Sequence, residues 1–225
     1  MYQAWNDHLA RFSRRFGELD EAPISAKGST FTRHRKDIAV ISNIVVDGKA
    51  IGGLGNSELV WHQDMSYIDQ PPKASLLYGV ETPATGGETF FYNLYKAYET
   101  LPVRLRQRIT GLSCKHDATR NSSGQLRRGF DEHYSNADRP GAVHPLVVRH
   151  PETGKPSLYL GRRPNAWVVG LDDAESDALL DELWAHVTQG PYHWAQHWQP
   201  GDLVISGTTA APCTGAIRSI RGSGA

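Results

Sequence analysis

The stretch from residue 61 to residue 102, WHQDMSYIDQPPKASLLYGVETPATGGETFFYNLYKAYETLP, decides how the rest of the chain is interpreted. Its continuous apolar run ASLLYGV, residues 74–80, predicts a strand buried on both faces. The turn TPATGGE leads into a short strand, TFFY, and Asn93 is placed to cap a helix through residues 94–101. Short strands with few helices indicate a mainly β, sandwich-like or barrel-like core with helices outside it.

His62 and Asp64 are the residues of this stretch that can carry chemistry. In an extended segment, positions i and i+2 point to the same side, so the imidazole and the carboxylate converge. Together they make two ligands of the 2-His-1-carboxylate triad, which leaves open positions on non-heme iron for a co-substrate and O₂. The H-x-D pattern alone is weak, because a surface histidine beside a surface aspartate gives the same pattern.

Elements on either side of this stretch extend the expected fold. Residues 37–46 predict a strand that the Asp47-Gly48 turn ends, and GDLVI, residues 201–205, predicts another buried strand. HPLVVRH and PSLYLG predict a hairpin, and the polar residues 111–143 predict a long loop or lid. The clearest helix covers residues 172–187, with an apolar stripe of Leu179, Leu180, Leu183, Trp184 and Val187.

Composition narrows the classes of partner. Lys+Arg and Asp+Glu are both 24, so no net charge favours nucleic acid or an anionic membrane. No stretch approaches the roughly 18 apolar residues of a membrane span, and no secretion signal is seen, which favours a cytoplasmic protein. Cys114 and Cys213 are then expected to be reduced thiols. A small-molecule substrate is expected, and homo-oligomerisation is compatible with the sequence.

The 61–102 stretch resembles the heart of the TauD/TfdA family of dioxygenases, with its WHxD segment, PP, apolar strand, GG(D/E)T and YxAYExLP-like helix. The resemblance continues through HPLVVRHPETGKPSLYL, VGLDDAESDALLDELWAHV and WQPGDLVI. It implies a double-stranded β-helix, or jelly-roll, core with Fe(II), the co-substrate 2-oxoglutarate and O₂. It also implies that His62 and Asp64 are iron ligands and that Thr89 helps hold 2-oxoglutarate, while Trp61 is a packing residue.

The resemblance stops after GDLVI. The family continues with a pattern like WDNRxxxHR, whose histidine is the third iron ligand, and an arginine follows that holds 2-oxoglutarate. This chain reads SGTTAAPCTGAIRSIRGSGA instead, in which nothing aligns Arg218 or Arg221 with that arginine. The remaining candidate ligands receive ordinary roles: His144 and His150 as structural or lid residues, and His193 and His197 as poor replacements, although i, i+4 spacing on a helix could bind a metal.

We interpret this break as a frameshift in the gene, or as a sequencing error at this point. Reading residues 206–221 one base out of register permits W-D-N-R-C-T-x-H-R-R-D-P-F-D-P, with Met, Leu or Val at x, which is the missing motif in order and in place. Residues 1–205 are therefore interpreted as a partial family domain with a core incomplete at both ends. Residues 206–225 are interpreted as a frameshifted, disordered tail. Near the N-terminus, a strand and loop between two early helices are interpreted as deleted.

Three functions remain open at this point. The favoured one is a dioxygenase that hydroxylates a small organic acid. The second is a catalytically inactive remnant that lacks the distal histidine and the 2-oxoglutarate-binding arginine. The third is a metal-dependent hydrolase using His62 and Asp64, for which no base or second metal site is seen.

Overall fold

A computed structural model describes residues 2–22, 35–54, 60–162, 164–207 and 213–217. Four helices lie in these ranges: α1 Tyr2–Ser13, α2 Leu94–Glu99, α3 Val103–Ile109 and α4 Asp173–Gln189. The strands there are β1 Ile41–Ser42, β2 Val45–Val46, β3 Lys49–Ala50, β4 Gly53–Leu54, β5 Ala74–Tyr78, β6 Thr89–Asn93, β7 Ser113–Lys115, β8 Val143–Pro145, β9 Val147–Arg149, β10 Pro156–Leu158, β11 Trp167–Val168, β12 His193–Gln196, β13 Leu203–Gly207 and β14 Cys213–Ile217.

The strands pair into small sheets, which confirms a mainly β chain with flanking helices. Two sheets have three strands, in the orders β12-β6-β14 and β11-β7-β8. The pairs β13-β5, β10-β9 and β2-β3 are antiparallel, whereas β1 and β4 are parallel. The predicted hairpin is therefore present as β9 and β10, and the Asp47-Gly48 turn joins β2 to β3. Of the strand predicted over 37–46, only Ile41–Ser42 and Val45–Val46 are strand, and residues 37–40 and 43–44 are not.

The core lies where α2, α3 and α4 pack on β7, β10 and β11. All five residues of the predicted α4 stripe are buried. The N-termini of α2 and α4 are both capped by a side chain: Asn93 accepts a hydrogen bond from Lys96 N, and Asp172 accepts one from Glu175 N. The core also contains Tyr92, Leu94, Ala97, Leu101, Leu105, Ile109, Cys114, Leu146, Leu158, Leu160, Ala166 and Val168.

The strands at 74–80 and 201–205 are present, but their predicted burial is wrong. β5 and β13 pair along five residues, from Leu203 opposite Tyr78 to Gly207 opposite Ala74. Leu203 is 36% exposed and Ile205 is 44% exposed, and every residue of β5 is only half-buried. The reason is that this sheet has two strands within the described residues and one of its faces meets solvent.

The tail also differs from its prediction. The sequence predicts no strand after Ile205, yet β13 continues to Gly207 and β14 pairs with β6 over five residues. Disorder is therefore the wrong prediction for residues 213–217. An open strand edge can be paired through backbone groups alone, without apolar alternation. The rest of the tail, 208–212 and 218–225 with Arg218 and Arg221, lies outside the described residues, so the boundary at 205 and the frameshift stay predictions.

Two expectations about class and location can be compared with the structure. Cys114 lies in the core, where its Sγ donates to Lys115 O, and its redox state stays a prediction. Within the described ranges, the helices are too short or too polar to cross a membrane. The cytoplasmic location and the oligomeric state stay predictions.

Candidate metal centre and co-substrate site

The structure brings His62 and Asp64 together. His62 Nε2 lies 3.2 Å from Asp64 Oδ1, with 17% of the histidine side chain and 39% of the aspartate side chain exposed. The chain turns immediately afterwards, because Met65 has a φ of 50° and Ile68 N donates to Met65 O at 3.2 Å. The two groups therefore converge at one partly open point, as the i, i+2 spacing predicts.

The other nitrogen of His62 fixes how the ring is presented. His62 Nδ1 lies 2.7 Å from the carbonyl oxygen of Val60, and since a carbonyl can only accept, Nδ1 carries the hydrogen. In the neutral ring Nε2 is then the lone-pair nitrogen, and it faces Asp64. Metal-binding histidines commonly donate their second nitrogen to a carbonyl in this way.

The environment of Asp64 keeps its carboxylate ionised. Burial alone would raise the pKa of Asp64, but when His62 is protonated, its hydrogen bond and charge, together with a hydrogen bond from Ser75, outweigh that effect and hold the pKa of Asp64 below its usual value. A deprotonated carboxylate beside an imidazole nitrogen is a donor set that fits Fe(II).

Gln63, between the two candidate ligands, attaches this segment to the chain after β10. Its Oε1 accepts hydrogen bonds from Leu160 N at 2.9 Å and Gly161 N at 3.1 Å, and its backbone N donates to Gly161 O at 3.0 Å. Gln63 is 3% exposed, so these bonds are shielded from water. The hydrogen bonds of Gln63 therefore hold this segment on the side opposite His62 and Asp64.

Thr89, the candidate 2-oxoglutarate contact, is buried at the first position of β6. Trp198 Nε1 donates a hydrogen bond to Thr89 Oγ1 at 2.8 Å. Because a hydroxyl accepts and donates at the same time, Thr89 keeps its own hydrogen available for donation. Trp61 packs edge-on against Tyr92 of β6, with ring centroids 4.6 Å apart, which confirms it as a packing residue.

Of the other candidate histidines, His144 and His150 have structural partners. His144 Nε2 lies 3.0 Å from Ile68 O, and His150 Nδ1 accepts from the backbone of Glu152 and Thr153 in the β9–β10 turn. His193 begins a strand and not a helix, so His197 would lie about 13 Å further along an extended chain. One ion cannot bridge that distance, and the i, i+4 spacing makes no site.

Within the described ranges, no third His, Cys, Asp or Glu joins His62 and Asp64 to form a metal-holding group. β14 pairs with β6 so that Thr214 lies opposite Tyr92, whose ring contacts Trp61, the neighbour of His62. The codon that reads as histidine in the shifted frame spans Cys213 and Thr214.

The sequence did not reveal Gln63, Ser75 or Trp198. Their partners are distant along the chain, 97 and 98 residues away for Gln63 and 109 residues away for Trp198. The only local signal was a polar residue between two candidate ligands, which is normally a solvent-facing position.

Comparison with known proteins identifies the family. The model of the taurine catabolism dioxygenase TauD, TfdA family matches residues 5–206. The chain belongs to this family. The match ends where the sequence pattern breaks, and it covers the H-x-D segment, β6 and α4. A TauD/TfdA chain has the mainly β jelly-roll core that the resemblance implies.

Curated relatives extend beyond the aligned part. Pentalenolactone F synthase from Streptomyces arenae is 33% identical over 221 positions, which cover 90% of this chain and 70% of the relative. The alpha-ketoglutarate-dependent 2,4-dichlorophenoxyacetate dioxygenase of Cupriavidus pinatubonensis is 33% identical over 210 positions, covering 88% and 71%. The alignment with pentalenolactone F synthase has 221 positions but includes only 90% of this chain. Some aligned positions of that relative therefore have no counterpart here.

Solved structures agree with the assignment. A taurine dioxygenase from Burkholderia xenovorans superposes with a TM-score of 0.57 at 33% identity, covering 70% of this chain and 49% of that one. AAD-2 in complex with Mn(II) and N-oxalylglycine superposes with a TM-score of 0.62 at 28% identity, covering 74% and 65%. This TauD/TfdA chain therefore spans about half to two-thirds of the length of these solved relatives.

Proposed function

We propose that this chain carries part of the active site of an Fe(II)- and 2-oxoglutarate-dependent dioxygenase that hydroxylates a small organic acid. The observation that carries the proposal is the approach of His62 Nε2 to Asp64 Oδ1, 3.2 Å apart, with the other imidazole nitrogen held by Val60 O. Family membership over residues 5–206 supports it. The names of the relatives supply the reaction class, since several are called alpha-ketoglutarate dioxygenases.

The roles of individual residues follow from their contacts. His62 and Asp64 would hold Fe(II), and Gln63 would fix the distance between them through its bonds to Leu160 and Gly161. Thr89, oriented by Trp198, would donate its hydroxyl hydrogen to a 2-oxoglutarate carboxylate. When bound, Fe(II) and 2-oxoglutarate supply the oxidising chemistry that uses O₂ to hydroxylate a C–H bond.

A second candidate is a catalytically inactive remnant of such an enzyme. Two observations favour it for the chain as given: no third ligand joins the pair among the described residues, and no histidine occurs in residues 206–225. A site with two ligands would hold the metal weakly. The inactive remnant would have the same candidate ligands, His62 and Asp64, as the dioxygenase, but it would not turn over 2-oxoglutarate.

Mn(II) binding tests the pair without depending on turnover. Electron paramagnetic resonance of free Mn(II) would be followed during titration of the chain, of Asp64→Ala and of Asp20→Ala, an exposed aspartate used as the matched control. We expect weak but saturable binding that falls on the order of tenfold or more in Asp64→Ala, because a charged ligand is lost, and stays unchanged in Asp20→Ala. Equal affinities for all three proteins would overturn the assignment of Asp64.

A further inference from the structure

We propose that Arg127 anchors the acid group of the substrate, in a pocket that begins three residues after Asp64; this inference rests on the proposed function. Arg127 belongs to the segment 111–143, which the sequence predicts to be a loop or lid. The segment contains β7 and then folds back as a loop up to β8, with Arg120 and Leu126 forming an isolated bridge. Arg127 lies directly after that bridge.

The pocket is a cavity of about 460 Å³. Its walls come from the segment after the candidate ligands, Tyr67 and Ile68, and from the loop residues Ala118, Arg127 and Phe130. The backbone turn at Met65 brings Tyr67 round from Asp64, so the pocket lies next to the candidate metal ligands along the chain. A volume of this size suits a small organic ligand.

Arg127 has unused binding capacity. Its guanidinium carbon lies 3.9 Å above the ring of Tyr67, and its Nε is shielded from solvent without a hydrogen-bond partner. Within the described part of the chain it forms no ion pair with a carboxylate. A buried donor without a partner is unfavourable, and a bound anion would satisfy it.

The surrounding charges favour an anion. Arg162 is a second partly buried guanidinium, which donates to the carbonyl oxygens of Asp117 and Arg120. Burial lowers the pKa of Arg162 to about 10, Asp117 opposes that shift, and the charge of Arg127 adds to it, so the two cations sense each other. The Asp117 carboxylate accepts hydrogen bonds from Thr119 and Asn165, and its negative charge balances that of Arg162, which leaves the charge of Arg127 for a ligand.

Asp69 is the acidic residue that lines the same pocket, and it is exposed. Water screens its charge more than it screens the shielded Arg127 Nε. Tyr67, Ile68, Ala118 and Phe130 give the rest of the wall an apolar and aromatic surface. The ligand class that matches this lining is a carboxylic acid with a flat, apolar body.

Equilibrium binding of phenoxyacetate tests the pocket. The compound has this chemistry, and its dichloro derivative appears in the name of a relative. Phenoxyacetamide is the neutral analogue of matched shape. Isothermal titration would be carried out on the full chain with chelator and without 2-oxoglutarate, so a failure of the proposed metal function does not affect the result. The variants are Arg127→Gln, Arg127→Lys and the neighbouring exposed Arg128→Gln as control.

We expect phenoxyacetate to bind the wild-type chain and Arg128→Gln equally, and to bind Arg127→Gln on the order of tenfold more weakly. Arg127→Lys should recover part of the affinity, since it keeps the charge but loses the planar fork. Phenoxyacetamide should bind all four proteins weakly. Equal affinity of Arg127→Gln and Arg128→Gln for the acid, or amide binding as tight as acid binding, would overturn the proposal, and far-ultraviolet circular dichroism confirms that each variant is folded.

Discussion

Gln63 shows how one buried side chain determines the geometry of the candidate metal site. Its Oε1 accepts from two backbone N–H groups, and both donors would lose their partner in Gln63→Leu. We expect that variant to lower the free energy of unfolding by about 2–4 kcal/mol, because each unsatisfied buried donor costs about 1–3 kcal/mol. Urea denaturation measures the change, with the exposed Gln107→Leu as control. A loss in Gln63→Leu no larger than in the control would contradict this role.

His116 is a second buried polar residue with a measurable consequence. It is 1% exposed, and its ring stacks on Tyr159 and meets His144 edge-on. Burial, together with the charges of His144 and Arg162, lowers the pKa of His116 from 6.5 to about 3. As pH falls below about 6.5 the unfolded chain takes up this proton before the folded one does, so stability is full above that pH and declines toward pH 3.

The contribution of His116 can be isolated with His116→Phe, which keeps the ring and removes the titration. We expect wild-type stability to fall between pH 6.5 and pH 4 more steeply than that of the variant, by up to about 1.4 kcal/mol per pH unit. Urea unfolding at several pH values gives both slopes. Parallel slopes would show that His116 is not held neutral by the fold.

At the scale of single residues, the sequence predicted those that act through local spacing. His62 and Asp64 converge because i and i+2 share a side, and Asn93 and Asp172 cap helices because their side chains reach N–H groups three residues on. It did not predict Gln63 or Trp198, since their partners depend on how distant segments pack. The burial of His116 has the same origin.

At the scale of elements, α4 was the most predictable because its signals agree with one another. The Asp172 cap, the acids of the first turn and the apolar stripe all specify the same helix. We expect Asp172→Ala to cost about 1 kcal/mol of unfolding free energy, whereas Asp172→Ser, which retains a capping oxygen, should cost a few tenths. Thermal unfolding measures both, and equal losses would show that the capping bond contributes nothing.

The sequence predicted the positions of the strands better than it predicted their pairing. The sequence placed β5, β6, β9, β10 and β13 close to their observed positions, but it gave no register and overestimated the burial of β5 and β13. An apolar run reports the composition of a strand, while the exposure of its faces depends on which layers pack on it. The same limit explains β14, which pairs with β6 although its sequence has no strand pattern.

At the scale of the whole molecule, the break after residue 206 predicts a frameshift in the gene. The family match ends at residue 206, where the shifted reading frame begins to permit the missing motif. The histidine codon of that frame takes the last base of the Cys213 codon, so this base should be C. Nucleotide sequencing through codons 205–221 decides the matter. A T at that base would give tyrosine in place of the ligand and would contradict the frameshift.

The shifted histidine codon lies over Cys213 and Thr214, which belong to β14 and lie opposite Asn93 and Tyr92 of β6. Tyr92 in turn packs on Trp61, the residue before His62. The frameshift therefore predicts that the histidine falls at a position on the strand next to β6.

The most direct test compares this chain with one in which residues 207–221 carry W-D-N-R-C-T-L-H-R-R-D-P-F-D-P. Both would receive Fe(II), ascorbate and 2-oxoglutarate without oxygen, and the visible metal-to-ligand charge-transfer band would be recorded before O₂ is admitted and succinate is assayed. We expect the restored chain to show the band and form succinate, and the chain as given to show neither, because His62 and Asp64 alone cannot define the triad. A clear band and succinate from the chain as given, or neither from a folded restored chain, would contradict the account.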